Sequence, residues 1–108
     1  MLRDYNLDNI EQTMATVYLI HFTTSLKHAR HYIGFTALES VQDRLKRHKR
    51  GDGARILRAC NEKGIDYQIV KTWEFEYWKD AAKFERRLKR RKGASRFCPV
   101  CNQKIAEI

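Results

Sequence analysis

The sequence predicts one α+β domain with the element order β-β-α-α-β-α. Two kinds of observation lead there. Three runs rich in β-branched and aromatic residues fall at 16–22, 31–35 and 67–73, the composition of half-buried strands. Between and after them lie stretches with helical apolar period, punctuated by Gly51-Asp52-Gly53 and by Gly64. At 108 residues, with 43% hydrophobic and 32% charged residues, the chain can build one modest core and lacks the apolar-poor balance of a disordered segment.

In chain order, residues 1–15 carry Arg3 against Asp4, Asp8 and Glu11 with no clear period, and are expected to form an N-terminal arm. Thr16 to Phe22 and His31 to Phe35 read as an antiparallel hairpin, with the polar stretch Thr23 to Arg30 as a long loop. Gly34 ends the second strand, where a missing Cβ permits a bend or a close approach. A helix is expected from Ala37, with Leu38, Val41 and Leu45 on its apolar face. Gly51-Asp52-Gly53 stops it, Asp52 is the candidate cap of a second helix bearing Ile56, Leu57 and Cys60, and Gly64 ends that helix in a left-handed turn. A last helix runs from about Tyr77 to Arg91, and residues 93–108 form an extension containing Cys98-Pro99-Val100-Cys101.

Lys and Arg number 22 against 13 Asp and Glu, a formal charge of +9, which favours a polyanionic partner, with nucleic acid ahead of an anionic membrane surface. No stretch is long and apolar enough for a membrane span, and no secretion signal opens the chain. With three cysteines, an odd count, a disulfide framework is not expected, and a reducing cytoplasm is.

Three polar residues point inward on the helices. In the last helix Glu85 falls about 40° from Ala81, inside the apolar stripe of Tyr77, Trp78, Ala81, Phe84 and Leu88. It is either one half of a structural ion pair or a carboxylate for a hard divalent cation. In the first helix Arg44 lies about 60° and His48 about 20° from Val41. His48 alone reads as a core histidine, but an arginine one turn before it supplies a fork matched to phosphate. The cationic runs 43–50, net +4, and 84–92, net +5, are solvated helix faces or a surface that tracks a phosphate backbone. Lys46, Arg47, Arg50, Arg87, Arg90 and Arg91 are the candidates for the latter. Cys98 and Cys101 form a single CxxC, by default a matter of local packing and by itself only half of the ligand set of a tetrahedral zinc site, which would need two more ligands from Cys60 and a histidine or a second subunit.

These residues occur in an order that resembles the GIY-YIG nuclease superfamily, which includes the N-terminal nuclease domain of the bacterial excinuclease C subunit and stand-alone endonucleases. The first motif is degenerate, Thr16-Val17-Tyr18, and the second intact, Tyr32-Ile33-Gly34. Arg44-Leu45-Lys46-Arg47-His48 and Phe84-Glu85-Arg86-Arg87-Leu88 follow. The resemblance covers residues 16–92 and implies a three-stranded antiparallel sheet flanked by helices. It implies a metal-dependent DNA endonuclease, bacterial or phage-encoded, structure-directed or weakly sequence-specific. RNA stays open as a substrate.

By the same resemblance, Glu85 holds Mg²⁺ or Mn²⁺, Tyr18 deprotonates the attacking water with help from His48, Tyr32 orients water or phosphate, and Arg44 stabilises the phosphorane. Cationic neighbours would have to favour the Tyr18 phenolate. The sequence departs from the family in three places: Phe35 follows the second motif where a polar residue is usual, leaving Thr36 for that contact, the spacing from Tyr32 to Arg44 is slightly longer than usual, and Asn102 is the single candidate for an asparagine expected after the glutamate. The alternative is a nucleic-acid binding module that keeps the fold and has lost catalysis.

Overall fold

The computed structural model describes residues 14–91 and 94–102, so that residues 1–13 of the expected arm and 103–108 of the expected extension lie outside the described residues. Strands β1 (Ala15–Leu26), β2 (Ala29–Thr36) and β3 (Tyr67–Phe75) form one antiparallel sheet in the order β2-β1-β3. Helices α1 (Val41–Lys49) and α2 (Arg55–Glu62) stand between β2 and β3, and α3 (Trp78–Arg90) and the short α4 (Ala94–Phe97) follow. This is the expected element order with one added helical turn.

β1 is central, and its near-continuous apolar run is explained by burial on both faces. Val17 and Leu19 join Ile33, Ala81, Leu88 and Cys98 in one core cluster. Tyr18, Ile20 and Phe22 point the other way, toward Leu57, Cys60 and Tyr67. Successive side chains of a strand alternate between faces, so one strand serves two cores. Cys60 is thereby committed to the second cluster.

Three local expectations are corrected. The hairpin has no long loop: its strands continue past the polar residues and turn at Lys27-His28, with Leu26 opposite Ala29 and Lys27 at φ 57°. Buried Leu26 anchors the tip, a register irregularity between His21 and Leu26 absorbs the mismatch, and the exposed Thr23 ties back through its N–H to the Asp66 carbonyl at 2.9 Å. Second, α1 begins at Val41, because Ser40 Oγ accepts the Asp43 N–H at 3.0 Å and closes the first turn. Leu38 is left outside the helix and 86% exposed. Third, Asp52 does not cap α2. Its carboxylate meets Arg50 Nε at 3.2 Å, and the Ala54 N–H at the helix entry donates to His48 Nδ1 at 3.1 Å. Gly64 at φ +72° makes the left-handed helix end the sequence predicts, and Gly51 at φ +91° makes a second one at the predicted helix stop.

α3 packs on the sheet through Ala81 and Leu88, and the Phe84 ring lies 5.1 Å from that of Trp73 and 5.3 Å from that of Phe75. Tyr77, placed in the apolar stripe by period, precedes the helix and is 44% exposed.

Candidate active site

Tyr18 on β1, Tyr32 on β2 and His48 on α1 meet on the face of the sheet covered by α1 and α2. Tyr18 Oη lies 2.8 Å from His48 Nε2. The ring centroids are 6.2 Å apart for Tyr18 and Tyr32, and 5.7 Å for Tyr32 and His48. Two glycines make the cluster sterically feasible. A Cβ at Gly34 would fall 2.7 Å from Tyr18 Oη and 2.8 Å from the Tyr32 ring; one at Gly53 would fall 1.9 Å from His48 Nδ1. The expected close approach at Gly34 is thus an approach of side chains. Gly53, read from sequence only as a helix stop, is the floor under His48.

The surroundings of His48 determine its chemistry. A neutral imidazole has one N–H and one lone pair. Since Nδ1 accepts the Ala54 N–H, the proton sits on Nε2, and the Tyr18 hydroxyl oxygen is the acceptor. Burial, helped by the charges of Arg44 and Arg47, lowers the His48 pKa to about 4, which keeps the ring in this neutral form. His48 is therefore a donor to Tyr18 and has no lone pair left with which to take its proton. A phenolate at Tyr18 would be stabilised by this bond.

Tyr18 itself is pushed up to about 12, chiefly by burial and next by Tyr32, with Arg44 acting in the opposite direction and Glu85 adding to the rise. Burial likewise raises Tyr32. The expected dominance of cationic neighbours is not found: desolvation outweighs Arg44, and the free protein holds Tyr18 as a neutral phenol.

Arg44 and Glu85 flank the tyrosines. Arg44 lies close enough to Tyr18 to favour its ionised form, and its Nη1 is 3.6 Å from Glu39. Its Nε is buried without a hydrogen-bond partner among the described residues, an arrangement that an entering anionic oxygen would complete. A depression lined by Phe35, Glu39, Arg44 and Trp78 opens beside it. The Glu85 side chain is 14% exposed, turned inward as its helical position predicts, with Lys89 of the same helix at 3.2 Å. A shielded carboxylate whose partner is a displaceable lysine, and whose charge reaches the same two tyrosines as that of Arg44, fits a hard divalent cation that shares phosphate oxygens with its protein ligand. Glu85 would hold it.

The six candidate phosphate contacts fall into two groups. Arg47 is held by Glu39 at 2.8 Å and Arg50 by Asp52, whereas Lys46, Arg87, Arg90 and Arg91 are exposed. Glu39, which gathers Arg44 and Arg47, carried no helical period and was invisible to a pattern-based reading. Thr36 is buried and donates its hydroxyl to the Glu39 carbonyl at 2.9 Å, so its hydroxyl organises the loop before α1. Phe35 packs against Trp78 at 5.8 Å. The Asn102 amide is spent on the carbonyls of Ser95, Arg96 and Cys98. Cys98 and Cys101 lie on the other face of the sheet from the tyrosines, beside His21 and His31.

Tyr18 and Tyr32 thus stand on neighbouring strands, Arg44 and His48 on the helix that follows, and Glu85 on a later one. The family model for the GIY-YIG catalytic domain matches residues 14–97, and the chain belongs to that family. Its members are metal-dependent nucleases in general. No curated protein and no solved structure shows a significant match to the chain.

Proposed function

We propose that the protein is an endonuclease that hydrolyses DNA phosphodiesters with Mg²⁺ or Mn²⁺, directed by DNA structure or by weak sequence preference. The observation that carries this reading is the convergence of Tyr18, Tyr32, His48 and Arg44 with the shielded carboxylate of Glu85. Arg44 receives the scissile phosphate on its unpartnered Nε and stabilises charge gathering on phosphorus. Tyr32 orients the phosphate or the attacking water. Tyr18 first gives its phenolic proton to solvent water, the His48 Nε2–H supports the resulting phenolate, and the phenolate then takes the proton of the attacking water.

Glu85 would hold the divalent ion, which when bound would supply charge stabilisation for the non-bridging and leaving oxygens. When Glu85 is so engaged, its own charge no longer opposes the phenolate. Lys46, Arg47, Arg50, Arg87, Arg90 and Arg91 supply sequence-independent affinity along the backbone.

The test is cleavage of supercoiled plasmid, of branched, flapped and single-stranded DNA, and of RNA, with Mg²⁺ or Mn²⁺, by the wild type and Glu85→Ala. Metal-dependent cutting by the wild type alone is expected, with both proteins binding DNA. If both bind and neither cuts, the chain is the binding module and the enzyme reading fails.

A further inference from the structure

On the sheet face opposite the tyrosines, four side chains from distant parts of the chain converge. His21 on β1 and His31 on β2 are register partners, and Cys98 and Cys101 come from the turn after α4. One donor atom from each lies within 4.8 Å of every other. His21 Nδ1 is 3.3 Å from His31 Nε2, 3.4 Å from Cys98 Sγ and 3.8 Å from Cys101 Sγ. Cys101 Sγ is 3.4 Å from His31 Nε2.

Hydrogen bonding does not account for this arrangement. A ring nitrogen has one proton or one lone pair, yet His21 Nδ1 faces three partners. Four donor atoms aimed at a common centre are what a cation demands. Zinc with bonds of about 2.3 Å to sulfur and about 2.05 Å to nitrogen requires, in a tetrahedron, about 3.3 Å between nitrogens and about 3.5 Å between nitrogen and sulfur. The four separations above, 3.3–3.8 Å, lie within about 0.3 Å of those edges. The Cys101 N–H also donates to Cys98 Sγ at 3.4 Å, a bond that favours the thiolate.

We propose that His21, His31, Cys98 and Cys101 form a structural zinc site, independent of the nuclease reading. Four protein ligands fill the coordination sphere and leave no open position for substrate or water, which distinguishes a structural from a catalytic zinc. The site fastens the segment after α3 to the hairpin. Cys98 is also fully buried against Ala81 and Leu88 of α3, so the clamp steadies the helix that presents Glu85.

The experiment uses the full chain purified under reducing conditions without chelators. Metal analysis is expected to find one zinc per chain in the wild type and in Glu85→Ala, and less than a tenth of that in Cys101→Ser and His31→Gln. After exchange, Co²⁺ is expected to give the intense visible bands and thiolate charge transfer of a tetrahedral thiolate site, lost in the same variants. Cys101 is exposed, and circular dichroism of Cys101→Ser is expected to report a folded chain. A folded, reduced wild type that holds no zinc and gives no tetrahedral Co²⁺ spectrum overturns the proposal. So does full zinc retention in both ligand variants.

Discussion

Gly53→Ala tests the central geometry with a single methyl group. The new Cβ would sit 1.9 Å from His48 Nδ1, 2.7 Å from Cε1 and 2.9 Å from Cγ. The ring has no room to withdraw: it is fully buried and held by the Ala54 N–H on one nitrogen and the Tyr18 hydroxyl on the other. Gly53 has no positive φ, so the backbone itself accepts alanine and the whole cost is steric. Overpacking of a closed core costs about 1–3 kcal/mol, and each hydrogen bond lost as the ring moves adds about 1 kcal/mol.

A total near 3 kcal/mol corresponds to a fall in Tm of about 12 °C for a domain of this size. Displacement of the ring also removes the donor from Tyr18, and a misplacement of about 1 Å in a catalytic constellation lowers the rate about 100-fold. Gly51→Ala is the control. A Cβ there meets nothing within 4 Å while the backbone sits at φ +91°, so it costs about 1–2 kcal/mol of left-handed strain and leaves the site in place. Thermal melts and single-turnover cleavage of both variants are the assay. Gly53→Ala that melts and cuts like the wild type, or Gly51→Ala that loses as much activity as Gly53→Ala, refutes the argument that His48 is wedged in place and supports Tyr18.

Two further predictions concern charge. The unfolded chain protonates His48 near its ordinary pKa of 6.5, whereas the folded chain resists until about 4; the folded value is depressed, so this stability is complete above pH 6.5 and is lost as pH falls toward 4. About 3 kcal/mol is at stake, and urea unfolding at pH 7 and pH 4.5 is expected to give a steeper loss in the wild type than in His48→Gln, equal slopes counting against the assignment. Replacing exposed Arg90 and Arg91 with alanine is expected to weaken DNA binding across all sequences and to lower the slope of log affinity against log salt by about 0.9 for each phosphate contact removed. An unchanged slope in a filter-binding titration would take these two residues off the DNA surface.

Much of the fold was legible because burial leaves a one-dimensional record. The β-branched and aromatic runs around Tyr18, Tyr32 and Tyr67 and the helical stripe through Ala81 and Leu88 mark which residues face a core. A polar residue inside such a stripe stands out against it, which is how Glu85 and His48 were recognised as inward-facing. Element ends were less legible. Ser40 took the cap from a pattern that began at Ala37, and Ala54 found its acceptor in a histidine six residues earlier. Period reports faces and says nothing of which hydrogen bond closes a turn.

The sequence by itself determined the α+β element order, the inward glutamate and histidine, the glycine-ended helices and a cationic balance suited to phosphate. Only the tertiary structure decided the proton position on His48, the neutral state of Tyr18, the role of Gly53 as a floor and the meeting of His21 and His31 with Cys98 and Cys101. The physical reason is range. Periodicity and capping act within a few residues, whereas a tautomer, a desolvated phenol and a four-ligand cluster depend on sheet register and helix packing that bring together side chains up to 80 residues apart.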